Sequence, residues 1–281
     1  MGHHDLKVVQ EPGLVKNSKK VVLNNIASRG VRLFNKARLQ EMNFENEKLT
    51  PPKLPLFKGM RFGRDAVVPA IVFGCLALGI YFFLVIAGKV ADGEIRNFDV
   101  SLLLFFRDAS DPSRLIGPPW LPKRVVELSA LGSTSVVILA LVLVVGFLLT
   151  LRRYGPALFM FLSVALGWLI SSALKQFYDR PRPNIVEHLD SASSASFPSG
   201  HAMMSTVIYL TMAVVVAHFY RETRVRVYVL FVAVLVPALV GITRIMLGVH
   251  WPSDVLAGWS LGVAWASFLW LVMRFLGHRQ Q

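Results

Sequence analysis

The chain has 281 residues, 54% of them hydrophobic and 17% charged, whereas an ordinary soluble domain is about 45–50% apolar and ~25% charged. The formal net charge is +13, but the cations flank long apolar runs instead of forming one basic face, which excludes a nucleic-acid partner and favours anionic lipid headgroups. The single cysteine, Cys75, lies inside an apolar run and excludes an internal disulfide; no Cys/His cluster has zinc spacing, so no metal site is expected.

Residues 1–66 are polar and basic. Between about 20 and 42, Val22, Ile26, Leu33 and Phe34 recur near helical spacing among cations. That pattern predicts a basic amphipathic helix on an anionic membrane surface, with a solvated tail as the alternative. No apolar stretch opens the chain, so no cleavable signal peptide is expected. Pro51, Pro52 and Pro55 break any helix and read as a linker to the part that follows.

A membrane crossing needs about 20 mostly apolar residues. Six runs qualify, at roughly 67–88, 126–150, 156–175, 201–219, 227–247 and 253–275. The fold class expected is therefore all-α: a polytopic membrane protein with six transmembrane helices in a bundle over 67–275, followed by a short tail, 276–281. Between the first two runs, residues 97–107 (NFDVSLLLFFR) are too few to cross and read as a helix lying at the interface. Arg152 and Arg153 separate the second and third runs, Arg221, Arg224 and Arg226 the fourth and fifth, and Arg274 and Arg279 follow the sixth. Together with the basic N-terminal segment they mark the cytoplasmic side and place both termini there.

Three segments carry most of the polar residues on the other side: Lys175–Pro183, Phe197–His201 and Thr243–Asp254. Gly200 and Thr243 are roughly 42 residues apart, enough for two crossings of about 30 Å each, and two crossings bring the chain back to the face it left. The segments thus share one face. Lys175, Arg182 and Arg244 have no matching excess of acids nearby in sequence; cations at membrane depth need a counter-charge, and one bound phosphate answers all three. In Pro198-Ser199-Gly200-His201, Ser199 sits where it can cap the fourth helix, whose N-terminus offers free N–H groups to an anion, and Gly200 allows close approach. His250 and Asp254 are four apart around Pro252, a good first-turn residue. On a helix start Asp254 reaches back to the His250 Nδ1–H and leaves Nε2 as an aimed lone pair. Arg180 and Asp179 are read as headgroup contacts, an ion pair or solvated loop. Glu187, His188 and Asp190 are read as rim residues, and the six tryptophans as interface anchors or packing.

With these residues assembled, the chain resembles the type 2 phosphatidic acid phosphatase superfamily, which also holds the vanadium haloperoxidases. Its pattern of K-x6-R-P, P-S-G-H and S-R-x5-H-x3-D is met by Lys175, Arg182 and Pro183; by Pro198, Ser199, Gly200 and His201; and by Thr243, Arg244, His250 and Asp254. The one departure is Thr243, which keeps the hydroxyl. The resemblance covers about 156–275 and leaves the basic N-terminal segment outside. It implies that His250 attacks phosphorus to give a phosphohistidine, that Asp254 orients it, and that His201 protonates the leaving group. Lys175, Arg182 and Arg244, with Ser199 and the Gly200 backbone, would hold the phosphate oxygens. The implied activity is hydrolysis of a lipid phosphomonoester or diphosphate, without cofactor or metal, at the outer ends of helices three to six in a bacterial inner membrane. Undecaprenyl diphosphate, phosphatidylglycerophosphate, phosphatidate and lipid A are the substrate types expected. A transporter that binds a phospholipid without hydrolysing it is the alternative. It is disfavoured because pure binding needs cations, not an oriented histidine beside a second one.

Overall fold

The computed structural model describes residues 66–191 and 194–278, the last three without side chains. The expected surface helix near 20–42, the proline linker and the end of the tail lie outside these residues. Within them every regular element is helical: α1 (Val67–Ala91), α2 (Arg96–Leu104), α3 (Leu121–Ser129), α4 (Thr134–Thr150), α5 (Tyr154–Tyr178), α6 (Gly200–Phe219), α7 (Thr223–Met246) and α8 (Pro252–His278).

Five of the six expected crossings are single helices, namely α1, α5, α6, α7 and α8. The second is not the straight helix expected over 126–150. α4 alone has 17 residues, about 26 Å at 1.5 Å per residue, which falls short of the ~30 Å hydrocarbon core. The remainder comes from α3 and a 3-10 turn at Ala130–Gly132, set at 44° to α4. The bend has a local cause. Ser133 takes an extended conformation (φ −67°, ψ 151°) and its Oγ accepts the Val136 N–H, so it caps a new helix instead of continuing the old one. Together these crossings make a multi-pass membrane architecture.

Large apolar side chains such as Phe73, Leu84, Leu143, Trp168 and Phe231 point outward, as a lipid-facing surface requires. Inside, α8 is the hub and packs on α1, α5, α6, α7 and α2. Small residues permit this. A Cβ on Gly258 would stand 2.7 Å from the Ser199 carbonyl oxygen and 3.0 Å from the Ala202 Cβ, so the α6–α8 crossing is as close as backbones allow. Buried hydroxyls in the spans satisfy themselves on carbonyls one turn back: Ser163 on Phe159, Ser205 on His201, Thr206 on Ala202 and Thr211 on Val207.

α2, expected as a helix lying at the interface, packs on α8 and buries Asp99 and Leu103 fully, while Phe98 and Phe105 stay exposed. The loop after it is anchored by Arg107. This buried guanidinium donates to the carbonyls of Ser113 (3.1 Å) and Glu187 (3.4 Å), and to that of Met246 (3.1 Å) at the C-terminal end of α7, where a cation is favoured. Burial pulls its pKa below the usual arginine range, against the pull of Glu187. Gly248, at φ +74°, makes the turn beside it; a Cβ there would strike the Arg107 Nη2.

Candidate active site

The end of α5, the start of α6, the end of α7 and the start of α8 lie at one end of the bundle, which is where the three polar segments were expected to meet. Lys175 is in the last turn of α5, and the chain then turns sharply at Asp179, whose φ of 36° is left-handed. Arg182 follows on the loop, Ser199 and His201 open α6, Arg244 is in the last turn of α7, and His250 and Asp254 flank the start of α8.

His250 is buried, and its Nε2 stands 3.3 Å from Arg182 Nη1. A guanidinium has donors only, so Nε2 is the accepting nitrogen and the ring proton of the neutral imidazole sits on Nδ1. Nδ1 faces Asp254 Oδ2 at 3.5 Å, longer than an ordinary hydrogen bond. The Asp254 oxygens are held elsewhere: Oδ2 accepts the Trp251 N–H at 2.9 Å and Oδ1 accepts Arg180 Nη1 at 2.6 Å. The carboxylate is thus fixed on the Nδ1 side of the ring, in a geometry that a slight shift of the imidazole on substrate binding would tighten.

Arg182 is a hub of its own. Nη1 also donates to the Val249 carbonyl at 2.5 Å and Nε to the Ser194 carbonyl at 2.8 Å. Lys175 Nζ donates to Ser194 Oγ at 2.9 Å, so one serine steadies two of the three expected phosphate cations. Arg244, almost fully buried, donates through Nη1 to Ser129 Oγ (2.9 Å) and Asp190 Oδ2 (2.6 Å), while its Nε has no partner. Arg244, with no acid near it in sequence, thus pairs with Asp190, a residue expected at the rim and 30% exposed. Burial pushes the Asp190 carboxyl up, but the hydrogen bond and charge of Arg244 and the Ser191 N–H outweigh it, and its pKa lies below the usual value.

Ser199 occupies the N-cap position of α6, but its side chain makes no cap hydrogen bond; Oγ is buried and unpartnered. Among the described residues four buried side-chain polar atoms lack a hydrogen-bond partner; Ser199 Oγ, Arg244 Nε and His250 Nδ1 lie on the second and third segments, and the fourth is Arg107 Nε. Buried groups of this kind are rare unless a ligand or a reaction uses them. Above Gly200 the nearest side-chain atom to an added Cβ is Lys175 Cε at 3.6 Å, ordinary contact, so protein does not crowd the start of α6. Arg180 was left open between headgroup contact, ion pair and solvated loop; it is an ion pair, to both Asp99 and Asp254. Sequence reasoning missed Asp99, Ser129 and Ser194. Only Asp99 carried a signal, as a lone acid in the apolar stretch NFDVSLLLFF.

Burial first, then the charges of Arg182, Arg244 and Lys175, hold the His250 pKa well below the usual imidazole value. The sign follows: the neutral, nucleophilic ring persists as pH falls through ~6.5, where a free imidazole would protonate. The kcat/KM profile is therefore expected to show no acid limb from His250 near pH 6.5. Any limb there should belong to the substrate phosphate, and should move when substrates of different phosphate pKa are compared. A loss of activity on the acid side that stays fixed near 6.5 for all substrates would contradict the assignment. The same shift costs stability in acid. The unfolded chain takes up a proton at this ring near pH 6.5 and the folded chain does not, so the fold weakens as pH drops below that value.

The chain is similar to known proteins. A profile described as the PAP2 superfamily matches residues 156–277. Phosphatidylglycerophosphatase B of Bacillus subtilis is 31% identical over 183 residues, which are 65% of this chain and 86% of that protein. Lipid A 1-phosphatase of Rhizobium johnstonii is 31% identical over 120 residues, 40% of this chain and 45% of that protein. The crystal structure of a transmembrane PAP2 type phosphatidylglycerolphosphate phosphatase from Bacillus subtilis superposes with a TM-score of 0.61 at 26% identity, covering 76% of this chain and 97% of that one.

Proposed function

The chain belongs to the PAP2 superfamily, and from that membership and the geometry of its site we propose that it is a membrane phosphatase that hydrolyses a lipid phosphomonoester or diphosphate through a phosphohistidine. The observation that carries the reading is the Nε2 of the buried His250, which stands 3.3 Å from the Arg182 guanidinium. A phosphoryl oxygen held by Arg182 would bring phosphorus next to that lone pair.

The steps use only groups of this chain. Lys175, Arg182 and Arg244, with Ser199 Oγ and the free N–H groups at the start of α6, hold the non-bridging oxygens and offset the charge that phosphoryl transfer spreads over them. His250 Nε2 forms the N–P bond as the bond from phosphorus to the lipid oxygen breaks. The departing oxygen takes a proton from His201. Water then attacks the phosphohistidine and gives its proton back to His201, the N–P bond breaks, and inorganic phosphate leaves. Through both halves Asp254 holds the Nδ1–H side of the ring and stabilises the positive charge that develops there. Three protein cations supply the electrostatics that magnesium supplies elsewhere.

The lipid tail explains why such a site stands at the end of a bundle of membrane helices: the headgroup is presented to the cations without leaving the bilayer. Orientation is part of the proposal. The end opposite the site carries Arg152 and Arg153 in one turn and Arg221, Arg224 and Arg226 in another, brought together where Arg153 lies over Phe219 at 5.5 Å. By the rule that short basic loops stay inside, that end and both termini are cytoplasmic, and the site faces the outside of a bacterial inner membrane. The relatives' names span a phosphatidylglycerophosphate and a lipid A phosphate, and these headgroups head the list of substrates to try, with undecaprenyl diphosphate and phosphatidate. The test is phosphate release by the purified protein in detergent with excess EDTA across that panel. Turnover of at least one lipid with EDTA present is expected. Release that stops with EDTA and returns with a divalent cation would overturn the metal-free mechanism.

A further inference from the structure

Asp99 lies about 150 residues from the segment that carries His250, on a short helix that belongs to no crossing, and it is fully buried. Its two oxygens are completely used at the start of α8. Oδ1 accepts the Ser253 N–H at 2.8 Å, one of the free donors of the first turn, and Oδ2 accepts the Ser253 hydroxyl at 2.7 Å. Oδ2 also accepts Arg180 Nη2 at 2.7 Å. The other arm of Arg180 donates to Ser253 Oγ at 2.8 Å and to Asp254 Oδ1 at 2.6 Å. The guanidinium is therefore a fork between two carboxylates, one behind the site and one in it. It rests over the Trp251 ring at 5.7 Å, and Trp251 Nε1 donates to the Pro181 carbonyl at 3.1 Å.

We propose that Asp99 is a positioning residue for the phosphoryl transfer, acting through Arg180 and the Ser253 backbone to hold Asp254 in place and to preserve its charge for His250. This rests on the reading of His250 as nucleophile and Asp254 as its partner. Two physical effects join here. The first is positional: Asp254 projects from the first turn of α8, and Asp99 pins that turn by the Ser253 N–H, so the carboxylate cannot swing away from the ring. The second is electrostatic. Arg180 alone would spend its whole charge on Asp254 and weaken the carboxylate's support for the positive charge that builds on His250 in the transition state. With Asp99 on its other arm, the guanidinium is neutralised from behind, and Asp254 keeps more of its field for the imidazole. The mutual packing of α2 and α8 gives the arrangement its reason in the fold: a helix too short to cross carries one acid into the site's foundation.

The experiment is a double-mutant cycle on full-length protein in detergent, with phosphatidylglycerophosphate as substrate and kcat, KM and the single-turnover rate of phosphoenzyme formation as readouts. Asp99→Asn keeps the shape and an acceptor for Ser253 but removes the charge. It is expected to lower kcat and the phosphorylation rate by roughly 10–100-fold, the usual cost of losing a group that orients a reacting residue, with KM within about threefold. In an Asp254→Asn background the same change is expected to cost nothing further, because the residue it acts through is already lost. Asp99→Glu is expected to recover part of the rate. The proposal is overturned if Asp99→Asn costs the same factor in both backgrounds, or if it raises KM while kcat holds. Should Asp99→Asn not yield folded protein, Arg180→Lys runs the same cycle, since a single ammonium cannot bridge both carboxylates. Full activity of His250→Ala or Asp254→Asn would instead overturn the histidine mechanism itself, so the two failures are told apart.

Discussion

Replacing His250 with alanine is expected to lower phosphate release from any lipid substrate by at least about 10⁴-fold, the scale seen when the nucleophile of a covalent mechanism is lost. No neighbour can take over. Lys175 and Arg182 are donors fixed on Ser194, His201 stands on another helix at the leaving-group side of the proposed reaction, and the Asp254 oxygens are tied to Trp251 and Arg180. The loss should appear in kcat, and a thermal melt run beside it separates the lost chemistry from the cost of truncating a fully buried side chain. The direct measurement is transfer of labelled phosphate from substrate to protein after an alkaline quench, which spares the P–N bond; acid should release the label. Wild type should carry label that the variant lacks. A variant that keeps even one per cent of the wild-type rate, or labels equally, would remove His250 from the role of nucleophile.

The second large effect is expected at Arg244. Replacement by leucine should reduce kcat/KM by about 10²–10³-fold, the cost of removing one preorganised charge donor from a developing anion, and should raise the inhibition constant of inorganic phosphate in step. The fold should suffer too. Arg244 is almost completely buried, and its loss strands Ser129 Oγ and the Asp190 carboxylate. Breaking a buried pair from one side costs about 3–5 kcal/mol, but Asp190 is 30% exposed and can turn to water, which brings the expectation to about 1–3 kcal/mol in thermal unfolding. Arg244→Lys should restore less than roughly a tenth of the activity, since a point charge cannot hold Asp190 and a phosphate at once. Phosphate inhibition and kcat/KM both within threefold of wild type in Arg244→Leu would show that Arg244 serves the fold alone.

Much of this protein could be read along the chain. The crossings follow from apolar run length, because a bilayer core of fixed thickness demands it whatever the neighbours do. The meeting of Lys175, Arg182, Ser199, His201, Arg244, His250 and Asp254 at one end follows from the number of crossings between them, a matter of parity that needs no packing detail. The spacing of His250 and Asp254 around Pro252 is local helix geometry, and α8 does begin at Pro252.

Tertiary structure decided the rest. Ser133 splits the second crossing, where the apolar run alone reads as continuous. Ser199 stands at the cap position of α6 without capping it. Asp190 pairs with an arginine 54 residues on, and Asp99 with the start of a helix 154 residues on. Short-range periodicity carries no information about such pairs. Whether a polar residue in a loop faces water or a buried cation depends on which helices lie beside it, and the energy that settles it is the cost of leaving a charge unpaired inside the bundle. The residues proposed to react were therefore named from local sequence patterns, while the contacts that hold them still were set between distant segments.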